Sequence, residues 1–588
     1  MDWKYLDLAI VIGYMLLMLG VAFYYYKFAR KSLENFFLGG RNVPGWMNGI
    51  SYAAALVSPD AATGYGGLAI VSGAFISWWY LSRFGLALFF AGVLFAVFWR
   101  RLNLFTSLEY YDLRFNKRTA FLMRLWIAFR TSFVAMPAWT GITLLAACKI
   151  MGPALDFSRM QTLLLVLPVS FMYVFFSGYK GVVISNVIQM VIFFLGTLTM
   201  AILTLNYFGG AETMAGLLKE NFAASHPDIF AVVPPAQHDV FPLPAALAWL
   251  LGQSIGYGGD AAPMGGAMEG QRILSTRTPS EALTMYVVTA ISMFILLLLV
   301  TLPCISAALL WPELREAHAD RELVYGRLMK LLLPSGAMGL MIAAMMAATM
   351  STVADNLNFG SQILVSDGYK KWINKTASDR HYLWMGRLGM LLILGLALLV
   401  VFNVNIIIDV AIFMLQLSAA ELPANWAQWW WWRFNSAARI AASFGGPVIF
   451  CIVVLGPKAL LYFNIHGAEQ LVLPWWWQTL IVMLATTVLW IVVALFTKPD
   501  PAPILINFYN RANPLGWWKP VSGVNKIGAI FKGMGIAIVG ASSVSLLIVS
   551  LSKAWFAMWD ESLALLILSV VLFIIFRSTS RSFINKEI

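Results

Sequence analysis

The stretch Gly49-Ile50-Ser51-Tyr52-Ala53-Ala54-Ala55-Leu56-Val57-Ser58-Pro59-Asp60-Ala61-Ala62-Thr63-Gly64-Tyr65-Gly66-Gly67 is apolar enough to lie in a membrane, yet it is built to break. Pro59 supplies no amide hydrogen and clashes with the preceding turn, and the glycines after it favour unwinding. Two readings follow: a proline kink satisfied by neighbouring helices, or a helix interrupted at depth whose freed carbonyls can coordinate a cation. A second interruption, Gln253-Ser254-Ile255-Gly256-Tyr257-Gly258-Gly259-Asp260-Ala261-Ala262-Pro263-Met264-Gly265-Gly266, follows far along the chain. A pair of broken helices, each opening a group of spans, is the pattern of an inverted-repeat secondary transporter with its site where the breaks meet.

The rest of the chain supports a membrane setting. Of 588 residues, 60% are hydrophobic and 12% charged. A soluble core cannot hide that much apolar surface, so lipid is the solvent. Apolar runs punctuated by Gly, Pro and charge predict an all-α polytopic membrane protein of about fifteen transmembrane helices. Their expected limits are 5–27, 45–70, 76–99, 119–147, 160–178, 180–206, 244–264, 281–310, 336–365, 382–403, 405–432, 437–463, 473–498, 527–551 and 555–577. The first run lacks a small-residue cleavage site and reads as a retained helix. The polar stretch Lys498–Lys526 reads as a linker, so one membrane domain is expected over 1–588.

The net charge of +12 lies in short loops, where membrane topology and anionic lipid explain it without nucleic acid. Basic residues in Lys27–Arg41, Arg100–Arg118, Gln271–Arg277, Lys370–Arg380, Arg433–Arg439 and the tail after Arg577 predict an outside N-terminus and a cytoplasmic C-terminus. The loop Glu313–Lys330 is an exception, with Arg315, Arg321, Arg327 and Lys330 on the outer side. Trp429–Trp432 reads as an aromatic belt at the cytoplasmic interface. Cys148, Cys304 and Cys451 lack metal-ligand spacing and read as small core hydrophobes. No metal-ligand cluster or nucleophile–base set suggests an enzyme.

The polar residues within the spans are the informative ones. Ala347-Ala348-Thr349-Met350-Ser351-Thr352-Val353-Ala354-Asp355-Asn356-Leu357-Asn358 combines small residues, which permit close helix packing, with hydroxyls and a carboxylate. Asp355 at depth must be paired, bound to a cation or protonated.

At these residues the sequence resembles the sodium:solute symporter family, which includes sodium–glucose, proline and sialic acid transporters. Glu34-Asn35-Phe36-Phe37-Leu38-Gly39-Gly40-Arg41 is similar to the loop after the family's first helix. Ser107-Leu108-Glu109-Tyr110-Tyr111-Asp112-Leu113-Arg114-Phe115 is similar to its cytoplasmic segment, and Gln271-Arg272-Ile273-Leu274-Ser275 with Glu281-Ala282 to the stretch after its second broken helix. The resemblance runs from Asp7 to Ile440 and implies a LeuT-like 5+5 inverted repeat. Residues 45–206 and 244–432 would form the two repeats, with 5–27 an extra N-terminal helix and 437–577 additional C-terminal helices.

The resemblance also implies a sodium site made by Ala54, Val57, Ala348, Ser351 and Thr352. A possible second cation site falls on Asn186 and Asp355, where the family's carboxylate has changed helix. Substrate candidates are Asp60, Tyr80, Arg83, Arg130, Gln253, Tyr257, Asp260 and Gln416. Arg83 and Arg130 suit a carboxylate ligand, or else pair with Asp60 and another carboxylate respectively. The implied activity is sodium-coupled import of a small polar organic solute, a sugar, sugar acid or carboxylate, by a monomer in a bacterial-type inner membrane or plasma membrane. The alternatives are a nutrient sensor on the same fold and proton coupling through Asp355.

Overall fold

The computed structural model describes residues 5–29, 31–222, 226–260, 269–316, 318–465 and 467–587. The described residues are helical, joined by turns and isolated bridges. Fifteen helices are used below. They are α1 (Tyr5–Ala29), α2 (Gly45–Leu56), α3 (Gly66–Ser72), α4 (Met136–Leu155), α5 (Arg159–Tyr207), α6 (Leu243–Ser254), α7 (Glu269–Ser275) and α8 (Pro279–Ser306). The others are α9 (Ala337–Ile363), α10 (Asp379–Asn403), α11 (Ile407–Ala419), α12 (Leu422–Trp430), α13 (Trp475–Phe496), α14 (Ile527–Trp555) and α15 (Trp559–Glu587).

Twelve stretches among the described residues are long and apolar enough to cross a bilayer. The count falls below the expected fifteen where the chain is interrupted. The expected span 45–70 is split at Val57–Ser58 into α2 and α3. The span 160–178 is the shorter first part of α5, which turns at Gly178, where φ is 60°. The span 244–264 ends as a helix at Ser254, and its last four residues, 261–264, lie outside the described residues. The boundary between the second and third expected spans is set by Gly73, at φ 60°. A Cβ there would strike the Ile229 carbonyl, so only glycine makes this turn.

The small residues of α9 explain its position. Nearly the whole helix is buried, because Ala, Ser and Gly let α5 and α10 approach closely in a medium that gives helices no hydrophobic reason to associate. Gly196 of α5 sits against Ala344, and Gly360 of α9 against Ile393. α2 packs on α8 in the same way, with Gly49 against the Met285 carbonyl and Val288.

Three expectations from sequence are revised. The Lys498–Lys526 stretch is docked: Asp500 accepts from Ser436, and the Trp518 indole donates to the Trp429 carbonyl at 2.9 Å. Trp429 and Trp430 are buried at 1% and 6% exposure, so this part of the tryptophan run packs inside the protein and is no interfacial belt. Cys451 is exposed on the helix surface, while Cys148 and Cys304 are buried. The basic loop Glu313–Lys330 is partly neutralised, two of its four cations having carboxylate partners. Arg321 donates to the carbonyls of Leu314, Arg315 and Glu316, Arg327 pairs with Glu313, and Lys330 pairs with Asp156.

Candidate ion and solute site

At the first break, the amide that would bond the Ala55 carbonyl in a continuous helix belongs to Pro59, which has none. The Thr352 hydroxyl donates to that carbonyl instead, at 3.1 Å. The Ser351 hydroxyl lies 2.9 Å from both the Ala54 and Ala348 carbonyls. Three carbonyls and two hydroxyls from α2 and α9 therefore converge in a buried spot. This oxygen-only set suits a hard monovalent cation: a hydroxyl that now donates can turn its lone pairs to an ion.

Ala54, Ala348, Ser351 and Thr352 of the sequence-derived set are thus brought together. Val57 stands in the non-helical turn of the break, buried, and Thr352 reaches Ala55 in its place. Ala55 was missed by sequence reading, although its signal was present, because it lies four residues before Pro59.

Next to these oxygens is a cavity of about 50 Å³ lined by Ala55, Ser58, Asp60, Tyr65, Arg83, Trp139, Thr143, Thr352 and Asn356. Such a space holds a few waters, whereas sites for small organic ligands usually run to roughly 300 Å³ or more. Asp60 accepts from Ser58, whose hydroxyl is 3.2 Å from that of Thr143. Arg83 donates to the Tyr65 hydroxyl at 3.0 Å and lies 5.5 Å from the Trp139 ring. A larger opening of about 450 Å³ begins at Gly64 and Gly67, at the start of α3, and is lined by Lys149, Glu322 and Asn405.

Of the eight substrate candidates, Asp60 and Arg83 face the small cavity. Arg130 pairs with Asp260 at 3.0 Å and with Glu421 at 2.5 Å, and Glu421 also holds Arg439 at 3.1 Å. All four are buried, two cations against two anions, so this cluster is neutral without a ligand. Gln253 donates to the Leu415 carbonyl, and Gln416 to the Trp475 carbonyl and Gln478. Tyr80 stacks on Phe294. The Tyr257 carbonyl receives the Trp426 indole at 3.0 Å.

Asn186 and Asp355 do meet, at 2.7 Å, but a third residue joins them. Arg272 of α7 pairs with Asp355 at 2.6 Å and donates to Ser51, which Asn186 also reaches. Arg272 and Asp355 are 0% and 1% exposed, so each neutralises a charge that lipid-depth burial would otherwise make costly. Sequence reading took Arg272 as part of a loop motif and did not connect it with Asp355, more than eighty residues away.

Comparison with known proteins settles the class. The model of the sodium:solute symporter family matches residues 36–446. The chain belongs to this family. It is 26% identical over 427 residues to a sodium/glucose cotransporter of Vibrio parahaemolyticus, covering 68% of this chain and 75% of the relative. It is 23% identical to a sodium/proline symporter of Haemophilus influenzae, covering 65% and 74% respectively. A solved Na+-coupled sialic acid symporter in a substrate-bound outward-open state superposes with a TM-score of 0.66. The two share 19% identity over 85% of this chain and all of that one. The fold is accordingly LeuT-like, and this family member is a multi-pass membrane protein performing sodium-coupled solute symport.

Proposed function

We propose that sodium binds between the first break and α9, on the carbonyls of Ala54, Val57 and Ala348 and the hydroxyls of Ser351 and Thr352, with Ala55 available as a further ligand. The observation that carries this reading is the bonding of the Ser351 and Thr352 hydroxyls to the Ala54 and Ala55 carbonyls, left free where the helix breaks at Val57–Pro59. The solute lies beside the ion, where Arg83 and Asp60 face one cavity. A guanidinium there favours a small polar solute with a carboxylate, and Asp60 takes a donor group on the same molecule. Tyr80 packs on Tyr65 of the cavity wall, while Arg130, Gln253, Tyr257, Asp260 and Gln416 are bound to other protein groups. A second cation at Asn186 and Asp355 is disfavoured by Arg272, whose guanidinium already supplies the positive charge.

The N-terminus is outside and the C-terminus cytoplasmic, with 45–206 and 244–432 as the inverted halves and 5–27 and 437–577 as additions, in a chain that works as a monomer without enzymatic activity. With that orientation α2 and α7 are the inner halves of the broken helices. They are stapled together, since Asn48 donates to Ser275 and the Arg272 carbonyl, while the larger opening is on the outer side. Ion and solute entering from outside tighten α9 against the break. Parting of α2 from α7 then releases both inward, and coupling follows because the ion bridges elements that separate.

The test is a sodium titration of thermal stability with purified protein, wild type against Ser351→Ala/Thr352→Ala. The expected result is a sodium midpoint raised by about tenfold or more, equivalent to about 1.4 kcal/mol. An unchanged midpoint sinks the assignment.

A further inference from the structure

Among the described residues most buried charges of the bundle meet an opposite charge, and Asp7 of α1, which does not, is held by the Gly336 and Gly339 amides and the Ser335 hydroxyl. Arg272 offsets Asp355, and Arg130 with Arg439 offsets Asp260 with Glu421. Glu269, the first residue of α7, is 0% exposed and forms no ion pair among the described residues. The eight residues before it, Ala261 to Met268, contain no basic side chain.

Tyrosines enclose its carboxyl group. The Tyr52 hydroxyl of α2 donates to Oε1 at 2.8 Å, and the phenols of Tyr257, in the second break, and Tyr286, on α8, face the same group. Oε2 and the Tyr257 and Tyr286 hydroxyls are buried without a hydrogen-bond partner of good geometry among the described residues. The other charged groups nearby are engaged elsewhere. Arg272 lies 5.4 Å from the Tyr52 ring while bound to Asp355, and Asp260 is held by Arg130. On the segments packed against α7, Arg100 donates to the Thr276 and Arg277 carbonyls, and Arg41 pairs with Glu34.

A carboxylate so placed must carry a cation or a proton. The three phenols and two carboxyl oxygens are five oxygens, but neutral phenols are poor ligands for a metal cation and Tyr52 turns its hydrogen, not a lone pair, toward Oε1, whereas a proton needs no coordination shell. We propose that Glu269 is a proton-binding site of the inner gate, neutral while α2 and α7 are closed and ionised when they part. The site rests on the orientation given above and is separate from the sodium ligands. When the inner gate closes, one proton passes from hydronium in the cytoplasmic solution to a carboxyl oxygen, leaving water. When it opens, the Tyr52 hydroxyl withdraws, water enters and the proton leaves to the cytoplasm. Acid pH therefore favours the closed inner gate and, through it, the sodium-binding state.

The experiment uses full-length protein in lipid nanodiscs and the isosteric variant Glu269→Gln. Infrared difference spectra of wild type minus variant, in sodium, should show the carbonyl band of a protonated carboxylic acid. Carboxylate bands in its place overturn the proposal. Sodium midpoints from thermal stability are then compared at about pH 7 and about pH 9, where neutral histidine already predominates. The wild-type midpoint should rise about fivefold at the higher pH, and the Glu269→Gln midpoint should stay at the wild type's lower-pH value. A variant that keeps the wild-type pH dependence overturns the proposal. If sodium stabilises neither protein, the sodium reading fails, and the infrared band alone still decides the state of Glu269.

Discussion

The two breaks free backbone carbonyls in the same way and satisfy them differently. At the second break the donors are rigid N–H groups. Trp99 bonds the Gly258 carbonyl at 2.8 Å, Trp426 that of Tyr257, and both Gln428 and Trp429 that of Gly259 at 2.9 and 2.8 Å. An indole N–H has no lone pair to offer an ion, so these carbonyls are committed to protein. At the first break the donors are hydroxyls, which can reverse their role. One break is thus fixed for packing against α12, and the other is left able to exchange a proton donor for a cation.

Backbone space gives the largest test of this contrast. Gly256 has φ +94°, and a Cβ there would overlap the Leu422 carbonyl, so Gly256→Ala should abolish recovery of folded protein in size-exclusion chromatography. Gly64, after the first break, has nothing within 4 Å of a built Cβ. Gly64→Ala should shift stability by less than about 1 kcal/mol. Equal outcomes at the two glycines would break the comparison.

Charge gives the next largest effect. Arg130→Met leaves Asp260 buried without its guanidinium and should destabilise the protein by about 3 kcal/mol or more in thermal unfolding. Arg83→Met, at the cavity, should keep the sodium-dependent stabilisation while removing stabilisation by carboxylate solutes in a ligand panel. A smaller effect is expected of Trp429→Phe, which removes one of two donors to the Gly259 carbonyl. About 1 kcal/mol of stability should be lost with the sodium midpoint unchanged, the reverse of the pattern expected for Ser351→Ala.

The smallest effect lies in the outer loop. Burial, reinforced by the Arg315 charge, holds the His226 pKa down from 6.5 to about 4. The docked loop favours neutral imidazole, so the undocked loop binds more protons once pH falls below 6.5. Docking should weaken between about pH 6.5 and about pH 4 and gain nothing above that window. Hydrogen exchange of residues 226–240 should show this slope in wild type and a smaller one in His226→Asn, the remainder belonging to His238, whose pKa burial also lowers.

Much of the site was legible because its causes are local. Pro59 breaks a helix wherever that helix sits, and hydroxyls spaced along α9 present oxygen to one neighbour. The cavity-facing pair Asp60 and Arg83 was visible as charge at depth. Arg130 and Asp260 were equally visible, but whether such charges meet a ligand or each other depends on which helices are neighbours, and that distance is not written in spacing. The tryptophan run shows the same limit. Composition assigned it to an interface, while the second break's need for fixed donors drew Trp429 inside.

The sequence by itself determined a helical membrane protein and two breaks, because hydropathy and a missing amide act over a few residues, and its likeness to the family pointed to Ser351 and Thr352. Only the tertiary structure decided that the Ala55 carbonyl meets Thr352, that Arg272 neutralises Asp355, and that Glu269 has no ion pair among the described residues. Each of these is a meeting of distant helices, and at depth in lipid it is the partner across the interface that fixes the charge a side chain can bear.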